Sequence, residues 1–173
     1  MKFIKILFLF VFIPSHSQNN TEEEKFISYF IENELPKKII YIEIIEPNIT
    51  EYIVEDLKSN KELFRDKNSN NDNLPEKIQL TEDETKQTIK EILIGNENGW
   101  MKNKLPKMKY VSYEKLKLNK KRINFFSFSK PIFLRNNSIC IFYSGNLDGG
   151  TLTIYYKLKE TWNYFSSLTE WVR

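Results

Sequence analysis

The chain has 173 residues, with 26 Lys and Arg against 23 Asp and Glu, 40% hydrophobic residues and 14% aromatic ones. That length supports one domain with a proper core, and the apolar content excludes an intrinsically disordered polypeptide. One histidine, His16, and one cysteine, Cys140, exclude histidine-rich metal centres, four-thiolate zinc sites and an internal disulfide.

The chain begins with Lys2 and Lys5, an apolar run over residues 6–13, then Pro14 and Ser15-His16-Ser17. A charged start, a short apolar core and a small-x-small exit describe a secretory signal peptide, with the cut expected after Ser17. Residues 1–17 are therefore read as a leader and residues 18–173 as a single α+β domain. The run is too short to span a bilayer, which takes about 20 residues. The mature chain is expected to lack a transmembrane span and to work in the periplasm or outside the cell. No cysteine lies near the cut, which argues against a lipid anchor there.

Cleavage would remove His16, leaving no imidazole for neutral-pH proton transfer. A Ser-His-Asp triad and a Cys-His pair are then both excluded. Thr21-Glu22-Glu23-Glu24 starts a helix by the capping-box pattern, with Phe26, Ile27, Phe30 and Ile31 inward and an end before Pro36. Residues 39–45 are rich in β-branched side chains and predict a strand. The apolar spacing of residues 48–64 fits both helix and strand, and is read here as helix. Residues 66–75 form a polar, Asn-dense loop. Thr81-Glu82-Asp83-Glu84 starts another helix, with Ile89, Ile92 and Leu93 inward and Gly95 as its C-terminal cap. Capping accounts for both acidic clusters without a catalytic role.

Four short strands are predicted at residues 125–128, 139–143, 152–158 and 162–168. Turn residues separate them, which implies an antiparallel meander. The expected fold class is α+β: N-terminal helices and one early strand packed on a C-terminal four-stranded antiparallel meander. One sheet face would present Ile139, Ile141, Tyr143, Leu152, Ile154, Tyr156 and Leu158 as core. The other would present Cys140, Phe142, Thr153, Tyr155 and Phe165. Cys140 reads as a small, inert strand-interior residue.

The segments Phe126-Ser-Phe-Ser-Lys-Pro-Ile-Phe133, Asn136-Asn-Ser-Ile-Cys-Ile-Phe-Tyr143 and Tyr155-Tyr-Lys157 before Trp162 resemble a group of small secreted proteins of Bacteroidetes-type bacteria. The likeness covers about Leu80 to Arg173 and rests on strand-and-turn patterns without a catalytic signature. It implies compartment and fold, and no activity. Members of that group place Cys-Gly pairs where this chain has Gly145-Asn-Leu-Asp-Gly-Gly150, so a disulfide does not carry over and Cys140 stays unpaired.

Several constellations compete for a function. Asp66, Asn68, Asn70 and Asp72 occupy the first oxygen positions of a calcium loop. Asn71 and Lys77 stand where such a loop wants glycine and a closing Glu, so neither metal nor cofactor is expected. Residues 101–122 hold nine basic residues and only Glu114, interleaved with Tyr110 and Tyr113. This suits a solvated connecting segment in a Lys-biased, alanine-free chain, and no nucleic-acid partner is expected. Charge is uneven: residues 18–97 carry 10 basic and 19 acidic side chains, residues 98–173 carry 14 and 4. The simpler explanation is an acidic part packed beside a basic part within one domain. Asn19, Asn48 and Asn136 begin Asn-x-Ser/Thr sequons, which arise by chance in so Asn-rich a chain.

The binding candidate is the second sheet face, Phe142, Thr153, Tyr155 and Phe165, provided it is open. The plainer alternative is that the first helix or the residue 39–45 strand covers it. The leading expectation is a secreted or periplasmic non-catalytic binding protein, with an unidentified protein or envelope component as partner. A histidine-free carboxylate hydrolase acting on envelope glycan and a structural surface-layer component are the alternatives. Ligand identity and oligomeric state are not legible in the sequence.

Overall fold

The computed structural model describes residues 21–35, 41–43, 48–69, 71–95, 109–110, 125–145 and 149–172. The expected leader, Asn70 and nearly all of the basic stretch 101–122 lie outside the described residues. The fold is α+β, and its centre is a sheet with apolar side chains on both faces. In chain order the elements are α1 (Glu22–Asn33), β1 (Tyr41–Glu43), α2 (Asn48–Ser59), β2 (Glu62–Phe64), β3 (Lys77–Gln79), α3 (Glu82–Gly95), β4 (Lys109–Tyr110), β5 (Phe125–Phe128), β6 (Ile132–Leu134), β7 (Ile139–Gly145), β8 (Gly149–Leu158) and β9 (Thr161–Val172). The main sheet runs β4-β1-β5-β7-β8-β9, with β6 also paired to β7. The meander of β5, β7, β8 and β9 is antiparallel, whereas β1 joins β5 and β4 in parallel.

Both capping boxes form. The Thr21 and Thr81 hydroxyls accept from the Glu24 and Glu84 amides at 3.3 and 3.1 Å. The two glutamates accept in return from the threonine amides at 2.9 and 2.8 Å. These bonds satisfy amide donors that the first helical turn would otherwise leave orphaned.

α1 buries Phe26, Ile27 and Phe30 against one face of the sheet, where they meet Phe128, Cys140, Phe142, Tyr155 and Trp162. The contacts are mostly edge-to-face: Phe26 lies 5.1 Å from Phe142 and 5.2 Å from Tyr155, and Phe30 lies 4.9 Å from Phe142. Such pairs add about 0.5–1.5 kcal/mol each beyond area burial. The opposite face packs Ile139, Ile141, Tyr143, Leu152 and Ile154 against Ile53, Leu57, Leu63, Leu74, Ile78, Leu80 and Ile92. The molecule is thus layered, with α1 on one side of the sheet and α2, α3 and the β2–β3 pair on the other. Gly150 gives Tyr143 its place, because a Cβ there would fall 2.0 Å from the Tyr143 hydroxyl oxygen.

Several expectations need correction. Residues 48–64 divide into α2 and β2, so the helical reading holds for the first part and the strand reading for the last three residues. Leu93 was expected inward but is 49% exposed, and Thr85 and Thr88 occupy buried positions on α3 instead. Their hydroxyls donate to the Thr81 and Glu84 carbonyls at 3.0 and 2.8 Å, which lets a threonine sit in the core without an unpaired donor.

The short strand β6 escapes notice in the sequence because Pro131 precedes it. Between Phe128–Ser144 and Ile132–Ile141 the pairing along β7 slips by one residue. Buried Ser129 bridges the slip: its amide donates to the Tyr143 carbonyl at 3.0 Å, and its hydroxyl accepts from the Tyr143 amide at 2.9 Å.

Part of the charge asymmetry is paired inside the domain. Glu22 binds Lys157 at 2.7 Å, Glu23 binds Lys130 at 3.1 Å, and Glu84 binds Arg135 through two contacts of 2.7 and 2.9 Å. Arg135 also donates to the Gln79 carbonyl. It opens a turn in which Arg135, Asn136 and Asn137 all have positive φ, so Glu84 ties the start of α3 to a backbone that disfavours most side chains.

Two outcomes test this account. Phe26→Ala should cost about 3–5 kcal/mol in urea unfolding, whereas Leu93→Ser should stay within about 0.5 kcal/mol; equal effects would contradict the layering. Arg135 is the chief cause that lowers Glu84 from 4.5 to about 2. A depressed carboxylate stabilises the fold above its unfolded value, and that contribution is lost as pH falls from about 4.5 towards 2. Glu84→Gln should cost about 1–2 kcal/mol at neutral pH, discounted for the half-exposed Arg135, and should flatten the stability slope in that window. An unchanged slope would show that the pair does not contribute.

Candidate functional site

The sheet face expected as an open binding surface is covered. Phe142, Tyr155 and Thr153 are 0%, 2% and 6% exposed beneath α1. Phe165 is 0% exposed and lies on the opposite face, in the core under α2 and α3. The reason is the register of the β8–β9 hairpin. Trp162 pairs with Lys157 and Tyr164 with Tyr155, so the next residue, Phe165, falls on the face of Ile154. Two bulges follow, since Ile154 pairs with Ser166 and Leu152 with Thr169, with Phe165 and Leu168 as the extra residues. All four residues build core and offer nothing to a partner.

Among the described residues the fold forms a cleft of about 550 Å³ lined by Tyr29, Glu34, Asn68, Ser69, Asn71, Asn163 and Tyr164. Three separate segments supply it: the last turn and C-cap of α1, the loop after β2, and the start of β9. Its volume falls within the roughly 300–1,000 Å³ of small-molecule sites.

Hydrogen bonds along β9 hold the loop in place. The Asp66 amide donates to the Phe165 carbonyl at 2.8 Å, the Ser69 hydroxyl to the Tyr164 carbonyl at 3.0 Å, and the Asn71 side-chain amide to Asn163 Oδ1 at 3.1 Å. Arg65 closes the loop from behind through the Asn71 and Leu74 carbonyls at 3.3 and 3.2 Å. The Asp66 carboxylate accepts from the Asn68 amide at 2.8 Å and from the Tyr164 hydroxyl at 3.0 Å. Those two bonds, the Asn68 amide first, hold its carboxyl below the ordinary range. Of the oxygens read as the start of a calcium loop, those of Asp66 are thus engaged in an Asx-type turn. Among the described residues no group of three or more His, Cys, Asp or Glu side chains is arranged to hold a metal ion.

The α1 side of the cleft is less saturated. The Tyr29 hydroxyl reaches Glu34 Oε1 only at 3.5 Å, the outer limit of a hydrogen bond. Burial first, and the Glu34 carboxylate second, push Tyr29 up to about 12. Desolvation also raises Glu34, against the opposing bond from Tyr29. Tyr155 lies between the two tyrosines of the cleft, edge-on to Tyr29 at 6.2 Å and to Tyr164 at 6.4 Å. Burial first, and the Glu34 carboxylate second, raise its hydroxyl, which has no hydrogen-bond partner among the described residues. A hydroxyl that deeply buried calls for a partner in water or ligand.

Cys140 is buried and free, and burial pushes its thiol well up, so it is not a nucleophile. Sequence reasoning missed every cleft residue except as members of the Asn-rich loop. Their signal lies in the fold, since no spacing connects Tyr29, Asn68 and Tyr164.

The Glu34 carboxyl should titrate above the usual glutamate value of about 4.3 when followed by its carboxyl carbon shift in NMR. Tyr29→Phe removes the one bond that favours the ionised form and should move the midpoint higher still. A midpoint that fell on this substitution would contradict the assigned causes.

No protein-family model matches the chain, and no curated protein or solved structure matches it either.

Proposed function

We propose that the protein is an exported, non-catalytic binding protein whose ligand sits in the cleft between α1, the residue 66–71 loop and β9. One observation carries this reading. A cleft of small-molecule size has one wall already fixed by hydrogen bonds to β9 and another wall whose polar groups lack full partners. Fixed groups make a site selective, and unsatisfied groups give a ligand something to complete. Export rests on the leader pattern of residues 1–17 and on the likeness to small secreted proteins of Bacteroidetes-type bacteria.

A glycan hydrolase without histidine needs two carboxyl groups about 5–9.5 Å apart across the scissile bond. The cleft lining brings one, Glu34. Asp66, behind Tyr164, is already engaged with Asn68 and Tyr164. The binding reading therefore has more support than the hydrolytic one.

Soluble fragments released from cell envelopes, titrated into isotope-labelled chain spanning residues 18–173, provide the test. Saturable shifts confined to the amides of Tyr29, Asn68, Asn163 and Tyr164 are expected, with the fragments recovered chemically unchanged. Cleft resonances that stay still in every fraction would overturn the binding reading, and cleaved fragments would overturn the non-catalytic part of it.

A further inference from the structure

We infer that the cleft recognises a neutral saccharide, an inference that rests on the binding reading above and names its ligand class. The lining settles the ligand's charge first. Among the described residues it contains one carboxylate, Glu34, and no Lys, Arg or His. Phosphate, acidic glycan and nucleic acid would meet that carboxylate with no cation of the described lining to offset it. A cationic ligand would find that single carboxylate among amide and hydroxyl groups that are otherwise neutral. An apolar ligand would cover the Asn68 side-chain amide, the Tyr29 hydroxyl and the Glu34 carboxylate without offering any of them a partner, and covered polar groups without partners cost affinity.

What remains is a neutral ligand rich in groups that both donate and accept. The groups with spare capacity match this description. The Asn68 side-chain amide makes no hydrogen bond among the described residues, although its backbone amide is used by Asp66. Ser69 Oγ spends its proton on the Tyr164 carbonyl and keeps its lone pairs. Tyr29 and Glu34 share only the long 3.5 Å contact. Carboxamide and carboxylate side chains can each engage two neighbouring hydroxyls of a sugar ring, because they offer two polar atoms side by side.

The tyrosines supply the complementary apolar part. Asp66 and Ser167 hold the Tyr164 hydroxyl at 3.0 and 2.9 Å, so its ring is fixed in position. A tyrosine joins a large apolar ring to a polar tip, which suits a sugar with C–H faces and a hydroxyl rim. Tyr155 beneath them carries the unpartnered, buried hydroxyl.

A peptide is the rival ligand with mixed donors and acceptors. Extended peptides usually bind by adding a strand to a free sheet edge. Here the residue 66–71 loop already takes the Tyr164 and Phe165 carbonyls of β9. That route is closed beside the cleft, which favours the saccharide.

Isothermal titration of the 18–173 chain with five neutral trisaccharides (malto-, cello-, laminari-, manno- and chitotriose), with trigalacturonate and with a set of uncharged tripeptides provides the test. At least one neutral trisaccharide should bind at a single saturable site, at least about tenfold more tightly than trigalacturonate. Asn68→Ala and Tyr29→Phe should each weaken it by about tenfold, the loss of one hydrogen bond. Leu93→Ser, remote from the cleft, should leave it unchanged. Both cleft substitutions fall on half-exposed or exposed side chains, and circular dichroism would confirm that they fold. Saturable tripeptide binding with no saccharide binding would overturn the ligand class and leave the binding reading standing. Tighter binding of trigalacturonate would overturn the charge argument, and silence from every probe would count against both.

Discussion

The docking of α1 on the aromatic face of the sheet is the contact on which the rest of the molecule depends. A sheet with apolar side chains on both faces must be covered twice. One cover comes from α2, α3 and the β2–β3 pair, and the other, among the described residues, comes from α1, chiefly through Phe26, Ile27 and Phe30. Removing that helix would bare Phe128, Phe142, Tyr155 and Trp162 together. Because Tyr29 and Glu34 belong to the same helix, the contact that completes the core also sets one wall of the cleft.

Electrostatics orient that cover more than they hold it. The ion pairs Glu22–Lys157 and Glu23–Lys130 join the first turn of α1 to the sheet, and Lys157 also stands 5.5 Å over the Trp162 ring. Glu23–Lys130, with its partly exposed lysine, contributes little stability, whereas Glu22–Lys157 is more enclosed, and both distinguish one rotation of the helix from another. Part of the uneven distribution of charge along the chain is thus used in assembly within the domain. It does not mark a charged outer face in the parts described.

Elements with local causes were legible in the sequence. Both capping boxes, the polar loop, the four meander strands and the core face of Ile139, Ile141, Tyr143, Leu152 and Ile154 follow from spacing and residue type. The misses share a different origin. β2, β3, β4 and β6 are two or three residues long, too short for any periodic signal, and they exist because neighbours supply their partners. Phe165 lies on the other face because the hairpin register puts Tyr164, not Phe165, opposite Tyr155. The cleft was invisible for the same reason, as its residues share no segment and converge only when the loop bonds to β9. The position of Leu93 shows the limit of helical spacing: Thr85 and Thr88 reached the core by using backbone carbonyls that a spacing argument ignores.

The order of segments along the chain has a kinetic consequence. Phe26 and its partners Phe142, Tyr155 and Trp162 stand at opposite ends of the polypeptide, so the helix emerges long before the surface it must cover. High contact order of this kind slows folding. In the interval the strand-rich tail exposes a run of aromatic side chains, the type of surface that draws nascent chains into aggregates unless a chaperone shields it.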